Sequence, residues 1–150
     1  MDQLARDALL ERLARHAELS AAPRAERLRR LPIRLLWPQL LAAVGMPWRV
    51  NAQTFFGRSM HVHLPDLVGI KLYQYGFFEE GLTRAIIEHL EPRGVDIGAH
   101  VGYHTMLASL LVGPAGQVVA FEPTPRTRYD LSSNTAHLSN VTIVPLAAWM

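Results

Sequence analysis

Apolar residues recur at helical spacing near the start of the chain, where Leu4, Leu9, Leu10, Leu13 and Ala17 alternate with Arg6, Asp7, Arg12 and Arg15 around the wheel. This spacing predicts an amphipathic helix over residues 3–18, ended by Ser20-Ala21-Ala22-Pro23. A second helical pattern begins near Arg24 and meets Pro32. It then passes into the apolar stretch 33–44, which Pro38 is expected to interrupt and Gly45-Met46-Pro47 to close. From Arg49 the period changes. Met60-His61-Val62-His63-Leu64 alternates as a short strand does and stops at Pro65, and residues 69–75 form a further β-prone run that Gly76 ends. Residues 77–90 read as a helix, with Glu79 and Glu80 in the first turn and Leu82, Ile86, Ile87 and Leu90 on one face.

The pattern is most legible after Pro92. Residues 95–97 read as a short buried strand entering a glycine-bearing turn. Residues 103–112 follow as a helix with Met106, Leu107, Leu110 and Leu111 inward. Residues 117–121 are a second buried strand, 127–138 another helix and 141–146 a third strand. Strand and helix alternating through short connections predict an α/β fold with a parallel sheet.

In such a sheet, ligands sit beyond the carboxyl ends of the strands, where the first β–α turn meets its helix. The turn here is Val95-Asp96-Ile97-Gly98-Ala99-His100-Val101-Gly102. Gly98 and Gly102 allow a sharp turn and close approach of a ligand, and the amides at the start of the next helix suit a carboxylate such as that of a methionine moiety. Asp96 is placed to hold an ammonium or a water. Glu122 ends the second strand, where an acidic side chain can accept both hydroxyls of an adenosyl ribose. The competing reading is an NAD(P)-dependent enzyme of similar topology. Its G-x-G-x-x-G fingerprint is absent, because His100 occupies the place of the middle glycine and would crowd a pyrophosphate. His100 and His104 are four residues apart at a helix start, but no third ligand is near and no metal is expected. His104 is a candidate general base for the acceptor hydroxyl, with no acceptor-side residues to support it.

Residues 70–147 resemble the FkbM family of methyltransferases. The residues that carry the likeness run from Val95-Asp96-Ile97-Gly98-Ala99-His100-Val101-Gly102 on through Tyr103-His104-Thr105, similar to the family's "VDIGANxGYxT" turn. Ala120-Phe121-Glu122-Pro123 is similar to its "AFEP" strand, and Tyr75-Gly76-Phe77-Phe78-Glu79 to its upstream signal. Leu131-Ser132-Ser133-Asn134 and Asn140-Val141-Thr142-Ile143-Val144 resemble the helix and strand that follow. The resemblance implies a Rossmann-like core, S-adenosylmethionine as donor, and O-methylation of a hydroxyl on a small metabolite or glycan. It also implies that Asp96, Gly98, His100, Gly102 and Tyr103 line the methionine end and Glu122 the ribose; no catalytic residue is assigned. Family members continue into further strands and a "K-I-D-x-E-G" motif, whereas this sequence ends at Trp149-Met150, just past the third strand. The expectation is an incomplete parallel sheet, the donor-binding half of an enzyme, present as a fragment or truncated product with little turnover. The alternative is an inactive cofactor-binding or interaction remnant.

Charge adds a division along the chain. Residues 1–50 hold nine Arg against five acidic residues, while the remainder holds six basic and eight acidic residues. Residues 1–48 are therefore expected to be a helical, Arg-rich appendage, 49–94 a lead-in, and 95–150 the core. The appendage is read first as packing against the core. Peripheral membrane contact is the alternative, since Trp37 and Trp48 suit an interface. Nucleic acid is not expected, because basic residues interleaved with stacking aromatics are missing. Absence of cysteine excludes a disulfide framework. With no apolar run of membrane-spanning length and no signal-like N-terminus, a cytoplasmic location is expected.

Overall fold

The computed structural model describes residues 1–148; Trp149 and Met150, where the expected core ends, lie outside the described residues. Among the described residues the fold is mixed α/β, with seven helices and two small sheets. The order is α1 (Gln3–Ala21), α2 (Arg24–Arg30), α3 (Pro32–Ala43), β1 (Trp48–Gln53), β2 (Ser59–Leu64), α4 (Leu67–Tyr75), α5 (Glu80–His89), β3 (Arg93–Ile97), α6 (Tyr103–Val112), β4 (Gln117–Phe121), α7 (Pro125–Thr135) and β5 (Val141–Val144). The chain divides into two compact units, Leu9–Glu80 and Met1–Ala8 together with the chain from Gly81 onward. This grouping differs from the expected boundaries at 48 and 94. Within the second unit α5 belongs with the parallel sheet, because its Thr83 and Ile87 are buried and Leu90 packs at Gly94.

In the Leu9–Glu80 unit, β1 and β2 form an antiparallel hairpin with Trp48 opposite Leu64 and Gln53 opposite Ser59. Strand β1 was not expected from sequence, although Trp48, Val50 and Ala52 alternate with Arg49, Asn51 and Gln53; Ala52 is buried and Val50 half-buried on that side. Met60, Val62 and Leu64 on one face of β2 are buried, together with Leu9, Leu13, Phe55 and Leu72. Residues 69–75 are helix rather than the expected β-prone run. Asp66 caps the helix by accepting the Gly69 amide at 2.9 Å, and Gly76, left-handed at φ 75°, ends it. A side chain at 69 could not fit, since its Cβ would stand 2.0 Å from the His63 carbonyl oxygen. Pro38 does not interrupt α3 either. It is buried between Leu35 and Leu41, one turn away on either side, so packing offsets the hydrogen bond its ring removes.

In the unit from Gly81 onward, β3, β4 and β5 make a parallel sheet in that order. Val118 and Ala120 are fully buried on the face that α6 covers. The opposite face corrects the expectation of a buried first strand: Val95 and Ile97 are each 66% exposed. Two successive right-handed crossovers put their helices on one side of a sheet, which leaves the other side less covered: Val119 and Phe121 on it are only half-buried. The buried face of α5 is also displaced from the expected one. Thr83 and Ile87 are buried, whereas Leu82 is exposed. Glu79, at φ 50°, is left-handed and delays the helix to Glu80. Arg6 caps the other end of α5, its guanidinium donating to the carbonyls of Ile87 and of Leu90 (2.9 Å for the latter).

The Gly69 contact generates a paired test. Gly69→Ala should lower stability by at least about 2 kcal/mol through the clash with backbone. Gly81→Ala, where a Cβ meets nothing within 4 Å, should be neutral or stabilising by about 0.5 kcal/mol. Urea unfolding of the two variants, followed by circular dichroism, measures both.

Candidate functional site

Parallel pairing aligns the carboxyl ends of β3 and β4, with Ile97 opposite Phe121. The chain leaving β3 leans across to β4, since the amides of Gly98 and Ala99 both donate to the Phe121 carbonyl at 2.9 and 3.0 Å. Gly98 is left-handed at φ 77°, and a Cβ there would meet nothing within 4 Å. The turn is thus open at this residue. His100 follows at φ 50°, a conformation that costs a residue with a Cβ about 1 kcal/mol and that glycine and asparagine adopt more readily. Its Nδ1 is buried and has no hydrogen-bond partner.

Glu122 is the residue that organises this loop. It is 6% exposed, and its two carboxylate oxygens accept from two different loops: Oε2 from the His100 amide at 3.0 Å and Oε1 from the Thr124 amide at 2.8 Å. Each oxygen retains a second lone pair. The Glu122 amide in turn donates to the Val144 carbonyl, which ties the end of β4 to β5. Arg128 closes the following loop by donating to the carbonyls of Glu122 and Pro123 at 3.1 and 2.8 Å.

Asp96, one residue before the end of β3, accepts the Thr105 hydroxyl through Oδ2 at 2.5 Å. Thr105 is wholly buried, so this bond joins the strand end to the first turn of α6. Gly102 and Tyr103 are placed differently from Asp96, Gly98, His100 and Glu122. Gly102 is buried, and a Cβ there would come 2.8 Å from Leu131 Cδ1; the glycine lets α6 start directly against α7. The Tyr103 ring is 3% exposed and its hydroxyl lies 3.3 Å from Thr83 Oγ1, on α5. The His104 Nε2 lies 3.5 Å from the same oxygen, with its ring edge-on to Tyr103.

Four of the six residues named from sequence therefore surround the open turn, while Gly102 and Tyr103 support α6 through packing. Sequence reasoning missed the supports. Asn134, buried on α7, donates to the Val101 carbonyl at 2.8 Å, and Thr105 anchors Asp96. At the far end of α6, Asn140 donates to the carbonyls of Ser109 and Gly113 and accepts the Ser109 hydroxyl. An Asn or Thr at a helix boundary was the available signal, although it does not say which carbonyl or carboxylate the side chain meets.

No protein-family model matches this chain, and no curated protein sequence matches it.

Glu122→Ala removes two charge-assisted hydrogen bonds that the buried carboxylate accepts from the His100 and Thr124 amides. It should lower the unfolding free energy by about 2–4 kcal/mol. Chemical denaturation of wild type and variant checks this, and faster amide exchange at His100 and Thr124 in the variant identifies the cause.

Proposed function

We propose that this chain is the donor-binding half of an S-adenosylmethionine-dependent methyltransferase with a Rossmann-like core of the FkbM type. Its reaction is transfer of a methyl group to a hydroxyl on a small metabolite or glycan, in the cytoplasm. The observation that carries this reading is Glu122: a carboxylate at the end of β4, bridging the β3–α6 turn and the β4–α7 loop, beside a turn that is open at Gly98.

The residues present fit the donor. The second lone pairs of Glu122 suit the two hydroxyls of a ribose. Asp96 has one oxygen engaged by Thr105, and the other suits an ammonium. The opening at Gly98 and the first-turn amides of α6 suit a carboxylate. The bound donor would supply an electrophilic methyl on a sulfonium. The protein's contribution is to hold that group in line with an acceptor oxygen, which depends on fixed geometry more than on acid or base strength. His100 argues against a dinucleotide, because a residue with a side chain stands, in the left-handed conformation of a glycine, where the dinucleotide fingerprint has its middle glycine. The limit to half of an enzyme rests on the sheet: among the described residues β3 has no strand on its outer edge, and Val95 and Ile97 are largely exposed.

Isothermal titration of the whole chain with S-adenosylmethionine, and separately with S-adenosylhomocysteine, tests the donor assignment. Saturable binding of both is expected. Glu122→Gln, which keeps one acceptor oxygen and most of the packing, should weaken it by about tenfold or more. No binding of either compound, or unchanged binding to a folded Glu122→Gln variant, overturns the assignment.

A further inference from the structure

Helix α3 carries two apolar stripes. One, Leu35, Pro38 and Leu41, is buried within the Leu9–Glu80 unit. The other is Ile33, Leu36, Trp37, Leu40 and Val44, at spacings of three, one, three and four residues, all between 38% and 73% exposed. At 100° per residue these five positions fall within an arc of about 100°, the width of an apolar face that ordinarily meets a core. Met46 and Trp48, just beyond the helix, are also exposed and extend the apolar surface. Single exposed apolar residues are ordinary, but a stripe of five on one arc, with a tryptophan in it, marks a contact surface.

Charge decides what that surface meets. Residues 24–49 contain Arg24, Arg27, Arg29, Arg30, Arg34 and Arg49 against Glu26 alone. Arg27 is used inside the unit, donating to the Tyr75 hydroxyl at 2.7 Å, and Arg30 pairs with Glu26. Arg24, Arg29, Arg30, Arg34 and Arg49 are exposed. The exposed Arg24, Arg29 and Arg34, in the same 24–49 segment as the stripe, favour an anionic lipid surface, which offers negative headgroups to cationic side chains and an acyl boundary to the stripe. Tryptophan favours that boundary, where its ring is half in each phase. Helix α3 has 12 residues, and among the described residues no helix is long and apolar enough to cross a membrane, so the contact is one in which the helix lies along the surface.

We propose that the outer face of α3, with Met46 and Trp48, is a membrane-surface docking site, selective for anionic lipid. This goes beyond the donor-site reading and does not depend on it. The site brings the unit that carries it to a bilayer surface.

Vesicle cosedimentation of the whole chain tests this, with phosphatidylcholine vesicles containing phosphatidylserine against phosphatidylcholine alone. Binding to the anionic vesicles is expected, weakening as salt is raised, with tryptophan emission shifting to the blue. Leu36→Glu with Leu40→Glu should weaken binding by about tenfold or more. The folded state is monitored by circular dichroism, and both residues are exposed, so the fold should survive. Arg29→Gln with Arg30→Gln and Arg34→Gln should remove the preference for phosphatidylserine. Wild-type protein that stays in the supernatant with anionic vesicles overturns the proposal. So does equal binding by a folded Leu36→Glu, Leu40→Glu variant, or a wild-type dimer in free solution that this variant dissociates.

Discussion

The Glu122 carboxylate holds the parallel half of this protein in its working shape. Two β–α loops leave neighbouring strands, and the first is tied to the end of β4 by the Gly98 and Ala99 amides on the Phe121 carbonyl, which leaves its position against the second loop to be fixed. One buried acidic side chain accepting an amide from each settles it. The first loop has further ties alongside that bond. His100 is held left-handed, Gly98 and Ala99 turn their amides onto Phe121, and Gly102 is brought against Leu131. Helix α6 then starts where Thr105 can reach Asp96. Asn140 fixes the other end of α6, so the helix is pinned by polar side chains at both termini and by apolar packing between them. A carboxylate in such a position costs desolvation, which its two amide partners offset.

The parallel unit was legible because its signals reinforce one another. Val118 and Ala120 alternate with less buried neighbours, glycines fall where the backbone turns, and Pro125 opens α7 at the position where a proline lacks nothing. The Leu9–Glu80 unit was harder to read, for local reasons. The run Ile70-Lys71-Leu72-Tyr73 has the composition of a strand, but the Asp66 cap and the fit of Gly69 against His63 make it a helix. Those are tertiary facts. Pro38 misled in the same way, because a proline's cost in a helix is judged locally while its burial is not. Arg6 and Arg27 read as part of a charged face, yet one caps α5 and the other bonds Tyr75, and neither partner lies near it in sequence.

Of the candidate site, the residue types were visible and their division of labour was not. Spacing brought Gly102 and Tyr103 into the same motif as Gly98, although one exists to let two helices meet and the other faces Thr83. A motif records which residues are needed for a turn without distinguishing those that approach a ligand from those that support the approach. Glu122 shows the converse. Its place at a strand end pointed to a ligand, and its bonds to two loops reveal a second, structural duty that any ligand must share. The two proposed surfaces, the open turn and the α3 stripe, belong to different units of the chain. Each stands on its own residues.

The central claim is that the open turn beside Glu122 receives an adenosyl donor. Titrating isotope-labelled protein with S-adenosylhomocysteine and following backbone amide resonances tests it most directly. Saturable shifts concentrated at Gly98, Ala99, His100 and Thr124 are the predicted result, because those amides border or bond the groups that would hold the ligand. Saturation with shifts confined to other residues, or no saturation, would contradict it.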